Sequence, residues 1–302
     1  MMIARKYLYL IALAREKHFG RAALACHISP STLSAAISDL EAELGVALVE
    51  RGKQFTRLTA EGQCVVEYAH RMAAGEEGLR QELASLRQGL NGQLRLGVIP
   101  TALTVVASLT SIFARRHPLV TTEVLSLSTN EITSRLHDFE LDAGIIYVES
   151  ALASSQFLTV PLWRESHVFL TPSGGLFEGR DNVTWLEVVQ VPLCLLTPDM
   201  QNRKTIDAVF AKLDCKAKPT LETNSIVSML AHVSSGAWSA ILPRSVFDLI
   251  GIPDGVRILQ LTEPTVEWAT GLVVSQREPR SPIIEAFLLE ARRFGNSFGK
   301  TE

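Results

Sequence analysis

The sequence predicts an α/β protein in three parts: an N-terminal winged helix-turn-helix, a long linker helix, and two similar α/β lobes with a cleft between them. Three observations carry this. Residues 22–45, "AALACHISPSTLSAAISDLEAELG", are two helices with a short break. Apolar residues then recur at heptad spacing from Val65 to Leu90. From Gln93 onward, short apolar strands alternate with amphipathic helices, the pattern of a mostly parallel sheet covered by helices.

The chain has 302 residues and 47% hydrophobic content, enough to fill two or three cores. Its net charge of −3 names no polyanionic partner, but the charge is unevenly distributed. Residues 1–58 hold eight basic against five acidic side chains, a balance of +3, so the rest carries −6. "YLYLIALA" after Arg5 and Lys6 imitates a secretory signal, but it is only eight residues long and "REKH" follows it. No segment reaches the roughly 18 apolar residues of a membrane span. The four cysteines, Cys26, Cys64, Cys194 and Cys215, form no CxxC pair, so neither a disulfide framework nor a zinc site is indicated. A cytoplasmic protein without a membrane partner is expected.

Ile3, Tyr7, Leu10, Ile11 and Ala14 mark the first helix, and "FGRAALAC" the second. Ser29 is a good N-cap, Pro30 suits the first helical position and Gly45 supplies the stop, which bounds the third helix. Leu33, Ile37, Leu40 and Leu44 make its buried face. The opposite face carries Ser31, Thr32, Ser34, Ala35 and Ser38, small and mostly hydroxylated. Such a face can approach another surface closely, and the DNA major groove admits a helix whose side chains reach base edges. "VALVERGKQFTRLT" is a hairpin or wing whose Arg51, Lys53 and Arg57, with Arg21, would lie along phosphates.

Thr59 caps a long helix. Val65, Met72, Leu79, Leu83 and Leu86 form a narrow apolar seam along it. The seam either packs on its own chain or pairs with a second copy, and the charged flanks favour pairing. The three parts are residues 1–58, 59–91 and 92–302. The last divides into lobe I (92–163 and 267–302) and lobe II (164–266).

Three strand-to-helix junctions carry hydroxyls: Thr101 and Thr104, Ser128 and Thr129, and Thr223 and Ser225. Each is either a helix cap or part of an anion site at a helix N-terminus. Enzymatic motifs are missing: the seven histidines form no metal-spaced pair, and there is no GxSxG, Walker loop or dinucleotide turn. No catalytic residue, metal ligand or cofactor is expected.

"FGRAALACHISPSTLSAAISDLEAELGVALVERGKQFTRLTAEG" resembles the N-terminal signature of LysR-type transcriptional regulators, carried by "RAA" at 21–23, "LS" at 33–34, "LEAELG" at 40–45, "ER" at 50–51 and "LTAEG" at 58–62. The resemblance extends over the whole chain. It implies an effector domain resembling type 2 periplasmic binding proteins, a homodimer or homotetramer on double-stranded promoter DNA, contact with RNA polymerase, and a small-molecule effector. The family commonly has Gln then Pro where this chain has Pro30 and Ser31, and often Arg in place of Ala35. A bidentate base reader is thus missing from the third helix, which leaves its hydroxyls, the wing and DNA shape to supply specificity. The resemblance places the effector cleft at Thr101, Ala102, Ser128, Thr129, Tyr147, Met200, Gln201, Asn202, Thr223 and Ser225. A small carboxylate or similar anion is the expected effector. A solute-binding protein and a thiol redox switch using Cys194 and Cys215 are the alternative readings.

Overall fold

The computed structural model describes residues 4–51, 55–151, 156–276 and 279–298, in two units, Met1–Gly89 and Leu90–Glu302. The first unit contains α1 (Arg5–Glu16), α2 (Phe19–Ala25), α3 (Pro30–Leu44), a hairpin of β1 (Val49–Arg51) and β2 (Phe55–Leu58), and α4 (Ala60–Gln88).

Its boundaries follow from local chemistry. The His18 ring caps α2, Nδ1 accepting from the N–H groups of Gly20 (3.0 Å) and Arg21 (3.3 Å). At α3 the Ser29 hydroxyl accepts from Thr32 N–H, Pro30 opens the first turn, and Gly45 ends the helix at φ 69°. Leu10, Leu13, Ala22, Ala23, Leu33, Ile37, Leu40 and Leu48 meet in one core. Each large aliphatic side chain there contributes about 1.5–3 kcal/mol by leaving water. The N-terminal half of α4 joins that core through Val66, with Val65 packed at its edge. Gly62 permits the approach: a Cβ there would lie 2.0 Å from the Leu48 carbonyl oxygen.

The second unit contains β3 (Gly92–Val98), a 3-10 turn (Pro100–Ala102), α5 (Leu103–Arg116), β4 (Val120–Ser126), α6 (Thr129–His137), β5 (Ala143–Tyr147), α7 (Val148–Ala151) and β6 (Phe157–Pro172). There follow β7 (Asn182–Thr184), α8 (Trp185–Val188), β8 (Leu193–Leu196), α9 (Gln201–Lys212), β9 (Leu221–Thr223), α10 (Ile226–Ser234), β10 (Ser239–Pro243), α11 (Ser245–Ile250), β11 (Val256–Thr262), β12 (Glu267–Ser275) and α12 (Pro282–Phe298).

The strand order is β4-β3-β5-β12-β6-β10-β8-β9, with β11 joining β6 to β7. Parallel β3, β4 and β5 build one lobe, and parallel β8, β9 and β10 the other. The long antiparallel strand β6 belongs to both. Phe157–Ser166 pairs with β12, and His167–Leu170 pairs with β10. One core collects Leu94–Trp163 and Leu272–Phe294, so α12 packs on the first lobe. Two further cores cover the faces of the second lobe, one around Trp185 and Phe210, the other around Met229 and Leu242.

Candidate nucleic-acid interface and ligand pocket

On α3, Ser31, Thr32 and Ala35 are exposed, and Ser34 and Ser38 are half-buried. The hydroxyls are locally ordered. Ser29 Oγ lies 2.8 Å from both Ser31 Oγ and Thr32 Oγ1, and Ser38 Oγ donates to the Ser34 carbonyl. Two cations assigned to phosphates already have partners in the chain. Arg57 Nε donates to Glu50 Oε2 at 2.8 Å across the hairpin, and Arg21 Nη2 donates to the Glu16 carbonyl at 2.6 Å. Both arginines remain largely exposed, so a phosphate can compete for them in high dielectric. The backbone of Arg51 ends β1, and Lys53 lies outside the described residues.

Along α4 the apolar seam divides. Val65 packs against the helix-turn-helix core of its own chain, a correction to its place in an outward seam. Met72, Leu79, Leu83 and Leu86 are exposed, Leu86 by 80%. Large aliphatic side chains at helical spacing in water leave an uncovered apolar stripe.

In the second unit a pocket opens between the lobes. Ile99, Pro100, Thr101, Ser128 and Thr129 line it from one side, and Leu196, Met200, Gln201 and Asn202 from the other. The cavity is about 10 Å³, room for one water-sized sphere. The 3-10 turn leading into α5 and the start of α9 both present N-termini without a side-chain cap. At α9 the uncapped N–H groups and the helix dipole favour negative charge, whereas in the 3-10 turn Pro100 has no N–H and the amides of Ala102 and Leu103 donate to the Ile99 and Pro100 carbonyls. Thr101 Oγ1, Thr129 Oγ1 and Asn202 Oδ1 are buried without a hydrogen-bond partner, and each costs about 1–3 kcal/mol until something supplies one.

The other hydroxyl junctions are differently used. Ser128 and Glu131 form a reciprocal capping box on α6, and the backbone N–H of Ser128 holds the Glu131 carboxyl below its ordinary range. Ser128 still borders the pocket. Ser225 caps α10 by accepting from Ser228 N–H, and Thr223 Oγ1 accepts from Ser225 N–H; neither is among the residues that line this pocket. Ala102 and Tyr147 are buried behind its wall rather than on it.

Beside the pocket lies a polar layer in which the sequence reading named Thr101, Tyr147 and Asn202 but missed Glu165 and His167. Tyr147 faces Asn202, Thr101 and Glu165, its hydroxyl short of hydrogen-bond alignment with each. Glu165 accepts from Trp163 Nε1 (3.0 Å) and Ser245 Oγ (2.8 Å), and burial pushes its carboxyl up. Burial pushes His167 down to about 3, so the ring is neutral. Glu165 and His167 alternate within the apolar run of β6, and two ionisable residues on one parity of a buried strand are the signal that could have revealed them.

No cysteine lines the pocket. All four are unpaired thiols, and burial pushes the Cys194 thiol up to about 11. Among the described residues no group of three or more His, Cys, Asp and Glu could hold a metal, and no helix is long and apolar enough to cross a membrane.

A helix-turn-helix with a hydroxylated outer face, followed in the chain by a two-lobed α/β domain, is the arrangement of a regulator of transcription. Residues 4–63 match the bacterial regulatory helix-turn-helix proteins of the lysR family, and residues 87–295 match the LysR substrate binding domain. The chain belongs to the LysR family.

Among its relatives is a probable hydrogen peroxide-inducible genes activator of Mycobacterium xenopi, 34% identical over 57% of this chain and 90% of that protein. The hydrogen peroxide-inducible genes activator of Dickeya chrysanthemi is 26% identical over 91% of this chain and 89% of its own. A full-length OxyR variant from Pseudomonas aeruginosa superposes with a TM-score of 0.74 at 27% identity, covering 97% of this chain and 95% of the other. CbnR in complex with its target DNA shares the fold, with a TM-score of 0.65 at 20% identity over 97% and 100% of the two chains.

Proposed function

We propose that this LysR-family regulator binds double-stranded promoter DNA as a homodimer or homotetramer and is switched by a small anion, a carboxylate or similar group, seated between its lobes. One observation carries the ligand assignment: the N-terminus of α9, without a side-chain cap, meets at one pocket the buried hydroxyls of Thr101 and Thr129 from the other lobe, which have no hydrogen-bond partner in the chain. These groups supply neutral donors, so the empty pocket need not bury an unpaired cation. The effector acts through the difference in its affinity for open and closed lobes, so closure must add contacts that the open form lacks. Contact with RNA polymerase belongs to the same reading by family resemblance.

The test is calorimetry on the full chain with a panel of two- to six-carbon mono- and dicarboxylates. Thr101→Val removes one donor at nearly constant shape and should weaken a binder tenfold to a hundredfold, about 1–3 kcal/mol. Ser225→Ala removes a helix cap outside the pocket and should leave that affinity unchanged. Parental affinity in Thr101→Val places the ligand elsewhere.

The names of the relatives favour a second reading, a response to hydrogen peroxide. A thiol route faces a chemical obstacle, because the thiolate is the nucleophile and a thiol pushed up to about 11 is almost wholly protonated at neutral pH. Mass mapping after mild peroxide treatment decides it: a Cys194–Cys215 disulfide, or sulfenic acid on either residue, supports the thiol switch.

A further inference from the structure

Glu41 stands in the last turns of α3, and its carboxylate leaves the helix to reach the wing. Oε1 accepts from the backbone N–H of Leu48 at 2.9 Å and of Val49 at 3.2 Å. These two amides open the hairpin. Val49 pairs with Leu58 on the β2 side, and among the described residues the hairpin is a two-stranded sheet without a third strand.

The same segment is gripped from the other side by the residue that caps α4. Thr59 N–H donates to the Leu48 carbonyl at 3.0 Å, and Thr59 Oγ1 donates to the Ala47 carbonyl at 2.7 Å. Residues 47–49 are therefore tied to the recognition helix by Glu41 and to the linker helix by Thr59. An isolated two-stranded hairpin is marginally stable at best, so its direction is set by such ties.

We propose that Glu41 is a positioning residue for DNA recognition, locking the wing at a fixed angle to α3 so that wing cations meet phosphates while the α3 face meets bases. It makes no contact with DNA itself. Groove reading and phosphate contact come from different elements, and they reinforce each other only when the geometry between them is fixed. The inference rests on DNA binding by this domain, which the parent protein tests independently by retaining any duplex.

The experiment measures the affinity of the full chain for a 25-base-pair duplex of arbitrary sequence across a salt series, since phosphate contacts show as the slope of log affinity on log salt, close to one per contact. Glu41→Ala should lower the slope by about one to two and weaken binding about tenfold at low salt. Glu41→Gln, whose amide oxygen can accept both N–H bonds, should restore the parental slope. Sedimentation and helix content serve as folding controls. Should Glu41→Ala fail to fold, Glu41→Asp replaces it: the charge is kept but the side chain is one methylene too short, and the slope should fall in the same way. A parental slope in the alanine or aspartate variant, or no rescue by glutamine, overturns the proposal. A parent that retains no duplex overturns the DNA-binding reading instead.

Discussion

Asn202 at the start of α9 and His167 on β6 meet at 2.6 Å, amide nitrogen to ring Nε2, so a residue of the pocket wall is tied directly to the strand shared by both lobes. The ring also stands edge-on to Trp268 of β12 at 4.5 Å between centroids. His167 thus links the pocket-lining Asn202 to both crossing strands. Its burial among these groups forces it to remain neutral.

That neutrality makes stability depend on pH with a definite sign. Folding lowers the His167 pKa from 6.5 to about 3, so between those values the unfolded chain binds the extra proton. The contribution is fully present above pH 6.5 and is lost as pH falls toward 3, by about 2 kcal/mol already at pH 5. Glu131 and Glu187, both held low, act in the same direction nearer their own ranges, whereas Glu165, held high by burial, acts oppositely above its ordinary range. Comparing the parent with His167→Gln isolates the histidine. Urea unfolding at pH 7.5 and pH 5 should show the parent losing about 2 kcal/mol more than the variant. Equal losses would mean that the ring is already charged, or exposed, in the native state.

A second prediction concerns the far half of α4. Met72, Leu79, Leu83 and Leu86 present an apolar stripe to water, whereas Val66 and Ala69 of the near half are buried. Covering the stripe with the same stripe of a second copy returns about 1.5–3 kcal/mol per large side chain removed from water. Replacing Leu79 and Leu86 with lysine puts two charges into that seam on each partner, which costs several kcal/mol. Sedimentation velocity should then report a smaller species at the same helix content. A double variant that sediments like the parent places the self-association surface elsewhere.

What the sequence made legible was whatever local chemistry decides. Ser29, Pro30 and Gly45 bound the third helix, as their spacing predicts, because capping depends on residues a few positions apart. Six residues that the family resemblance assigned to the cleft, Thr101, Ser128, Thr129, Met200, Gln201 and Asn202, line one pocket from three separate stretches. The crossing strands were not legible. Pro161 interrupts "FLTVPLWRES", and a proline inside an apolar run argues against a strand. The chain accommodates it beside a register shift, opposite Gly271, where a Cβ would lie 2.8 Å from the Val160 carbonyl oxygen. Whether a hydroxyl caps its helix or faces a ligand was equally hidden, since Ser225 and Thr101 occupy similar local sequences. Only the convergence of two lobes separates them.

The last prediction returns to the helix with the hydroxylated face. Ser34 is half-buried, at the border between the buried Leu33, Ile37 and Leu40 and the exposed Ser31 and Ala35 of α3. A carboxylate at position 34 would face the polyanion directly. Its repulsion would add to the loss of close approach, because the small side chains are what let the helix enter a groove only about 12 Å wide. In water the same substitution is mild, since glutamate is a better helix former than serine and the site is partly solvated. Ser34→Glu should therefore leave the melting temperature and sedimentation close to parental while duplex binding falls at least a hundredfold, or about 3 kcal/mol. Gel retardation on a promoter fragment, with a non-specific duplex alongside, measures this. Undiminished binding by a folded Ser34→Glu protein would remove α3 from the DNA interface and leave the wing as the contacting element.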